Sequence, residues 1–314
     1  MARVNCIILN WRTAEMTLQA VAAAGRAMEG IEGAITVVDN DSQDGSFEQL
    51  SAALADRPRV RVIQSGRNGG FGAGNNVGIR AGLPGGARAD YAYILNSDAF
   101  PAPDAIRVLL AHMEAHPRTG FAGSHIHGPD GAPHVTAFRF PGIASEFEGA
   151  AKIGPVSRAL ARYIVPLPLP QGTTRVDWLA GASMMMRKSM LDEIGLFDET
   201  FFLYFEETDL MLRGARAGWA TDYVVESRVM HIGSASTGMK EWRRVPGYWF
   251  DSRWHYFAKN HGRLYAGLAT MAHLTGLGLH RLRRAMQRGK AGNAPHYFRD
   301  LVKHSLGSPI RPEK

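Results

Sequence analysis

Cysteine is almost absent: Cys6 stands alone in 314 residues. That excludes an intramolecular disulfide framework and any multi-cysteine zinc or iron–sulfur site. Cys6 lies in an apolar run and reads as a small buried hydrophobe. Long hydrophobic runs are missing too, since none approaches the roughly 20 residues that cross a bilayer. Met1-Ala2-Arg3 leads straight into Val4–Asn10, without the apolar stretch and small-residue cleavage site of a secretory leader. The expectation is a protein that folds in the cytoplasm. Repeats and low-complexity tracts are also lacking. With 45% hydrophobic and 21% charged residues, the composition excludes disorder and allows one large or two small domains.

Acidic side chains become scarce toward the C-terminus. Residues 240–314 hold 15 Lys and Arg against 4 Asp and Glu, a local net charge of +11, whereas the preceding 239 residues carry 21 basic and 25 acidic side chains. Such a tail suits nucleic acid or an anionic membrane surface. No DNA- or RNA-binding motif accompanies it. Leu264 to Leu279 is apolar apart from glycines, Thr270, His273 and Thr275, and Arg281, Arg283, Arg284, Arg288 and Lys290 follow at once. Trp242, Tyr248, Trp249, Trp254 and Tyr256 precede it. A helix too short to span, flanked by arginines and aromatics, fits the headgroup boundary of the inner face of the membrane. The alternative is a helix packed on the core with a solvated basic end.

The first half alternates strand and helix: strands at Val4–Asn10, Ile35–Asp39, Val60–Gln64 and Tyr91–Leu95, helices at Ala14–Met28, near Ser46–Ala55, near Asn75–Ala81 and at Asp104–His116. This rhythm predicts an α/β fold with a mostly parallel sheet covered on both faces. Ligands sit beyond the carboxyl ends of such strands, and polar residues gather there: Asn10-Trp11, Asp39-Asn40-Asp41-Ser42 and Asn96-Ser97-Asp98. From Gly128 to Thr174 prolines interrupt the pattern, which predicts mobile loops. Val176–Met186 reads as one return strand and Glu206–Ala217 as an amphipathic helix.

Several motifs are ambiguous alone. Gly70-Phe71-Gly72-Ala73-Gly74-Asn75 lacks the third glycine of a dinucleotide fingerprint and follows the third strand. It reads instead as a turn able to approach a phosphate or sugar. Asn96-Ser97-Asp98 is a turn into Pro101 or a carboxylate held at the sheet rim for a hard cation. Glu206, Glu207 and Asp209 crowd three carboxylates beside Phe202-Leu203-Tyr204-Phe205. Asp209 and Arg213 are spaced for an i,i+4 pair. Glu206 and Glu207 diverge by about 100° around a helix, so one of them could face a cleft as a general base, its pKa raised by the aromatic wall. His231, in an apolar strand, is a satisfied core residue or a ligand.

Together the ordered blocks resemble family 2 glycosyltransferases of the GT-A fold, particularly the bacterial rhamnosyltransferase-like branch. They are Ile8-Leu9-Asn10-Trp11, Val37-Val38-Asp39-Asn40-Asp41-Ser42, Asn68-Gly69-Gly70 through Gly78, Leu95-Asn96-Ser97-Asp98, Gly195-Leu196-Phe197-Asp198-Glu199, Phe202–Arg213 and His231. The resemblance covers about residues 3 to 240 and implies inverting transfer of a sugar from a nucleotide diphosphate donor. It assigns Asp39 to the donor base, Trp11 to packing against it, and Asn10, Asn40, Arg67, Asn68, Phe71, Asn76, Asn96 and Ser97 to the surrounding nucleotide site. Asp98 is its metal-binding carboxylate, with Asn96 where the family's first acid stands, and His231 is a second ligand for Mn²⁺ or Mg²⁺. Glu207 matches the acceptor-deprotonating base, with Glu206 the runner-up. Trp178, Gly181 and Ala182 match the sugar and acceptor lining.

The resemblance further implies residues 1–239 as catalytic domain, with a nucleotide-sugar half (1–100) and an acceptor half (101–239), and 240–314 as a helical, basic, membrane-proximal region. The implied donor is dTDP-L-rhamnose or a UDP-hexose, and the acceptor a saccharide or a polyprenyl-diphosphate-linked glycan of the cell surface. From another class, a nucleotide-binding or membrane-associated protein with a degenerate metal site is favoured only by Asn96.

Overall fold

The structure is a computed structural model and describes residues 2–233, 244–287 and 296–307. Trp242, Arg288 and Lys290 lie outside them. In chain order the elements are β1 (Arg3–Asn10), α1 (Ala14–Ala27), β2 (Glu32–Asp39), α2 (Ser46–Leu54), β3 (Val60–Gln64), α3 (Gly70–Ala81), β4 (Tyr91–Asn96), β5 (Ala99–Pro101) and α4 (Ala105–Ala115). They continue through β6 (Thr119–His127), β7 (Ala137–Phe138), α5 (Ile143–Ala151), α6 (Gly154–Ala159), β8 (Thr174–Val176), β9 (Trp178–Leu179), β10 (Ser183–Arg187) and α7 (Lys188–Ile194). The last are α8 (Glu206–Arg216), β11 (Ala220–His231), α9 (Gly247–His261), α10 (Arg263–Met286) and α11 (Tyr297–Ser305).

The chain divides into two compact units, one of residues 1–138, 168–202 and 206–237, the other of 139–167, 203–205 and 238–314. Residues 139–167, expected within the acceptor half, cluster with the C-terminal helices.

The first unit is an α/β sheet in the order β3-β2-β1-β4-β10-β6-β11-β5, with β8 added beside β11. Its leading half, β3-β2-β1-β4, is parallel throughout, as the strand–helix rhythm predicts. Antiparallel β10 sits between β4 and β6, and β11 then resumes parallel pairing with β6. Both faces of β1 are buried, which is why Cys6–Leu9 reads as an apolar run, and the buried Asn5 spends its amide on the Gly78 carbonyl and the Thr36 hydroxyl. Val4, Cys6 and Ile8 join a core with Ala20, Ala24 and Ala27 of α1 and Ile106, Leu109 and Met113 of α4. Burial pushes the Cys6 thiol pKa up, consistent with an inert side chain.

On the other face α3 lies close against the sheet. A Cβ on Gly74 would come within 2.4 Å of Leu9 Cδ1, and one on Gly78 within 2.6 Å of Ile7 Cγ2. The glycine run is therefore not the turn the sequence suggests. Helix begins at Gly70, and the small residues let it approach the strands. Two further expectations are corrected. Val176–Met186 is broken at residue 177 and at residues 180–182, so that it falls across the end of β8, β9 and β10. The proline-rich span holds α5 and α6, with Pro155 in the first turn of α6, where its missing N–H costs no hydrogen bond.

The second unit is helical. Helix α10 has 24 residues, longer than its apolar stretch suggests, because Arg281–Met286 continues the same helix. Buried Arg253 donates from Nε and Nη2 to Glu146 Oε2 at 3.0 and 2.7 Å, and His273 Nδ1 lies 2.6 Å from the same oxygen. Burial alone would raise the Glu146 pKa; the Arg253 guanidinium and His273 outweigh it and hold the carboxyl below its usual range. Tyr256 is buried, and Trp249 packs edge-on to Phe250 and Tyr297. These aromatics, expected as a rim for a membrane, serve the interior instead, because their rings pack best on one another.

Two outcomes test this packing. Gly70 holds φ +88°, and a Cβ there would lie 1.7 Å from the Phe202 carbonyl oxygen. Gly70→Ala should lose about 2–3 kcal/mol in urea unfolding, whereas Gly85→Ala, strained only by its own φ, should lose about 1. Arg253→Met strands a buried carboxylate and should lose about 3–5 kcal/mol at neutral pH. That deficit should shrink below the ordinary glutamate pKa of about 4.3, where Glu146 of the wild type loses its depressed-pKa stabilisation as it protonates.

Candidate active site

Three strand ends build the floor. Register places Asn10 opposite Asp39 and Leu9 opposite Asn96, so β2, β1 and β4 end level on one rim. The chain runs from β1 outward to β3 and returns to β4 on the other side of β1. A crevice opens where the connections diverge in this way, and it is the usual ligand position of such sheets.

Asn10 and Asp39 are fully buried and bonded to each other. Asn10 Nδ2 donates to Asp39 Oδ1 at 2.7 Å, and Ser42 reaches the same carboxylate through Oγ at 2.6 Å and through its backbone N–H at 3.1 Å. Thr17 and Thr13 hydroxyls donate to Asn10 Oδ1. Thr13 Oγ1 also lies 3.0 Å from Ser97 Oγ, a hydroxyl pair that joins the β1 and β4 loops. These groups shape the rim. Trp11 stands half-buried above them with the Arg12 guanidinium 5.1 Å from its ring centroid.

The residues of the 67–76 block hold its surroundings together. Asn40 Nδ2 donates to Asn68 Oδ1 and to the Gly70 carbonyl at 3.0 and 3.2 Å. Asn76 exchanges hydrogen bonds with the backbone of Phe197 and donates to Glu199 Oε1. Arg67 and Arg80 pair with the same glutamate at 3.0 and 2.8 Å. Hydrogen bonding from Asn76, helped by both arginines, lowers the Glu199 pKa despite partial burial.

At the end of β4, Asp98 and His231 meet. The short strand β5 pairs antiparallel with the end of β11 and sets Ala99 opposite His231. His231 Nε2 then lies 3.0 Å from Asp98 Oδ1, and the Gly233 N–H donates to Asp98 Oδ2 at 3.0 Å. Asn96 Nδ2 is 3.4 Å from His231 Nε2. A carboxylate oxygen and an imidazole nitrogen this close can share one divalent cation. Among the described residues no group of three or more acidic, histidine or cysteine side chains is placed to hold a metal. Asp98 and His231 thus stand as a pair of possible ligands with no third such side chain beside them among the described residues. His134, whose ring centroid is 6.2 Å from that of His231, was not singled out from the sequence. It lies in the proline-rich stretch, where no periodicity points to it.

The two adjacent glutamates separate as helical geometry requires. Glu206 is buried, its Cβ 3.6 Å from where a Gly72 Cβ would stand. Glu207 turns to the loop between β9 and β10, and its Oε1 accepts the Gly181 N–H at 3.1 Å. A Cβ at Gly181 would lie 2.8 Å from that oxygen and 2.9 Å from Phe71 Cζ. Gly181 thus makes room for both the carboxylate and the Phe71 ring, which also packs edge-on to Phe197. Burial raises the Glu207 pKa, partly offset by hydrogen bonds from its own backbone N–H and that of Gly181. Asp209 accepts Arg213 Nε at 3.0 Å, the structural i,i+4 pair expected. Trp178 stacks on Phe138 at 4.2 Å, and Ala182 is buried.

Known proteins resemble this chain in sequence and in fold. Residues 7–195 match the profile of Glycosyl transferase family 2. The chain is 31% identical over 217 residues to an N-acetylglucosaminyl-diphospho-decaprenol L-rhamnosyltransferase of Mycobacterium tuberculosis, covering 65% of this chain and 68% of that one. It is 28% identical over 168 residues to the rhamnosyltransferase WbbL of Escherichia coli, covering 52% and 60%. Among solved structures, the mannosyltransferase PcManGT of Pyrobaculum calidifontis, in complex with GDP-Man and Mn²⁺, superposes with a TM-score of 0.59 at 15% identity, over 97% of this chain and 79% of that one. That likeness concerns the fold, which is GT-A. The chain is a member of glycosyl transferase family 2, in its rhamnosyltransferase-like branch.

Proposed function

We propose that this glycosyltransferase moves L-rhamnose from dTDP-L-rhamnose, with inversion, to a hydroxyl of a saccharide or polyprenyl-diphosphate-linked acceptor at the cytoplasmic face of the membrane. The observation that carries the reading is the Glu207 carboxylate in the first turn of α8, raised in pKa and aimed by the Gly181 N–H, in the same unit as the Asp98–His231 pair at the strand ends. The rhamnosyltransferase names of the relatives support the choice of donor. A UDP-hexose remains the second reading, because uracil and thymine present the same imide to Asp39.

The nucleotide lies over the floor made by Asn10, Asp39 and Ser42, with Trp11 against the base. Asn40, Arg67, Asn68, Phe71 and Asn76 hold the loop beside it, and Asn96 and Ser97 stand below the ribose and diphosphate. Asp98 and His231 would hold Mn²⁺ or Mg²⁺, which when bound would supply positive charge to the donor diphosphate. Trp178, Gly181 and Ala182 line the sugar and acceptor side. Glu207 takes the proton from the acceptor hydroxyl as its oxygen bonds to the anomeric carbon and the bond to the diphosphate oxygen breaks. Attack from the opposite face inverts that carbon. A carboxylate of raised pKa is the stronger base for this step.

Glu207→Gln should lower turnover by about 10²–10⁴-fold while calorimetry shows donor binding unchanged; retention of full turnover sinks the assignment. In the wild type, kcat/KM should rise with pH through the Glu207 pKa, because only the deprotonated form accepts the proton. The midpoint should lie above the ordinary carboxylate value of about 4.3, and a flat profile from pH 4 to 8 would speak against a carboxylate base.

Calorimetry with dTDP-rhamnose, UDP-glucose, UDP-galactose and GDP-mannose, each with and without Mn²⁺, tests donor and cation together. We expect metal-dependent binding of dTDP-rhamnose, weakened about tenfold or more by Asp98→Asn or His231→Ala. Equal affinity in a chelator would remove both residues from the cation site.

A further inference from the structure

Most of the large apolar side chains that the described residues leave in water belong to one helix. Leu264, Leu268, Met271, Leu279, Leu282 and Met286 of α10 are 80, 45, 63, 40, 59 and 72% exposed. Their spacing of three, four and eight positions sets them on one stripe, with exposed Thr275 and Gly278 between. At 1.5 Å per residue the stripe runs about 33 Å. The opposite face is used: Ala266, Ala269, Thr270, Gly276, Leu277 and His280 are buried, and a Cβ on Gly276 would lie 2.6 Å from the Phe147 carbonyl oxygen of α5. One side of α10 is thus packed and the other is apolar and open.

Charge narrows the occupant. Residues 263–287 contain four arginines and no acid. Exposed Arg263 and Arg281 are about five turns apart and so share one flank of the stripe. Arg299 on α11 is also exposed, 53% by its side chain. A second copy laid antiparallel along this stripe would bring arginines against arginines, which opposes pairing. An anionic lipid surface offers acyl chains to the stripe and phosphates to its flanks. No helix among the described residues is long and apolar enough to cross a membrane, so α10 fits the interface plane.

We propose that the Leu264–Met286 face of α10 is the element that seats this protein on an anionic bilayer, the helix lying parallel to the surface with its arginines at the phosphates. The inference extends the proposed lipid-linked acceptor by naming the surface that would keep the enzyme beside it. It is tested without that acceptor. The full chain is floated with phosphatidylcholine vesicles and with vesicles of phosphatidylcholine and phosphatidylglycerol at about 7:3.

Wild type should float with the anionic vesicles and bind neutral ones at least tenfold less. Leu268→Glu/Met271→Glu/Leu282→Glu should lose anionic binding at least tenfold, and Arg263→Ser/Arg281→Ser severalfold. Should the triple variant lose its fold by circular dichroism, a Met271→Cys protein carries an environment-sensitive label, Cys6 being buried. Its emission should shift to the blue with anionic vesicles only. Flotation of a folded triple variant like wild type, or an unmoved label, overturns the proposal. So does a wild-type dimer by light scattering that the triple variant abolishes with no vesicle binding in either. Donor calorimetry on the same variants should be unchanged; a wild type that binds vesicles but no donor would refute the proposed transfer and leave this surface standing.

Discussion

Parallel pairing of β1 with β2 on one side and β4 on the other is the constraint on which the site depends. A register slip of one residue would turn Asn10 and Asp39 to opposite faces and break the bond between them. Two features hold the register. Both faces of β1 are covered, and Gly74 and Gly78 let α3 settle directly over Leu9 and Ile7. The polar rim is therefore a consequence of the apolar strands beneath it. Asn10, Asp39, Ser42, Thr13 and Thr17 satisfy one another there, so the floor is stiff and its shape is set before any ligand arrives.

That arrangement divides the labour among residues the sequence presents as one class. Asn10, Asn40 and Asn76 are buried and spend their amides on protein partners, so they position loops. Trp11 and Arg67, in contrast, keep exposed surface. Glu206 and Glu207 are neighbours in the chain and yet face α3 and Gly181 respectively. Position on the helix, more than the identity of the acid, decides what each of the two meets.

Much of the sheet was legible because its signals are local. Apolar runs marked β1 to β4, polar clusters marked their ends, and the i,i+4 spacing of Asp209 and Arg213 named its own pair. Features that rest on distant partners were not legible. Glu146 meets Arg253 and His273 across 107 and 127 positions, and nothing near Glu146 announces them. The glycines of α3 read as a turn because composition cannot tell a flexible backbone from one pressed against a strand. Prolines concealed α5 and α6, although Pro155 in fact opens a helix. His134 escaped notice because its nearness to His231 follows from the return of β11 beside β5 and β6.

That return carries a consequence for how the protein comes to exist. The hydrogen-bonded floor at the strand ends is written entirely in the first 97 residues, whereas Gly181, Glu207 and His231 are added 84 to 134 positions later. At roughly 5–20 residues per second, synthesis spends several seconds or more between the two events. β11 must then insert beside β6 and carry β5 on its other edge, a pairing of high sequence separation and so a slow one. During that interval the ribosome presents an unfinished sheet with an unpaired margin. The contact between Asp98 and His231 is among the last parts of this unit to come into being.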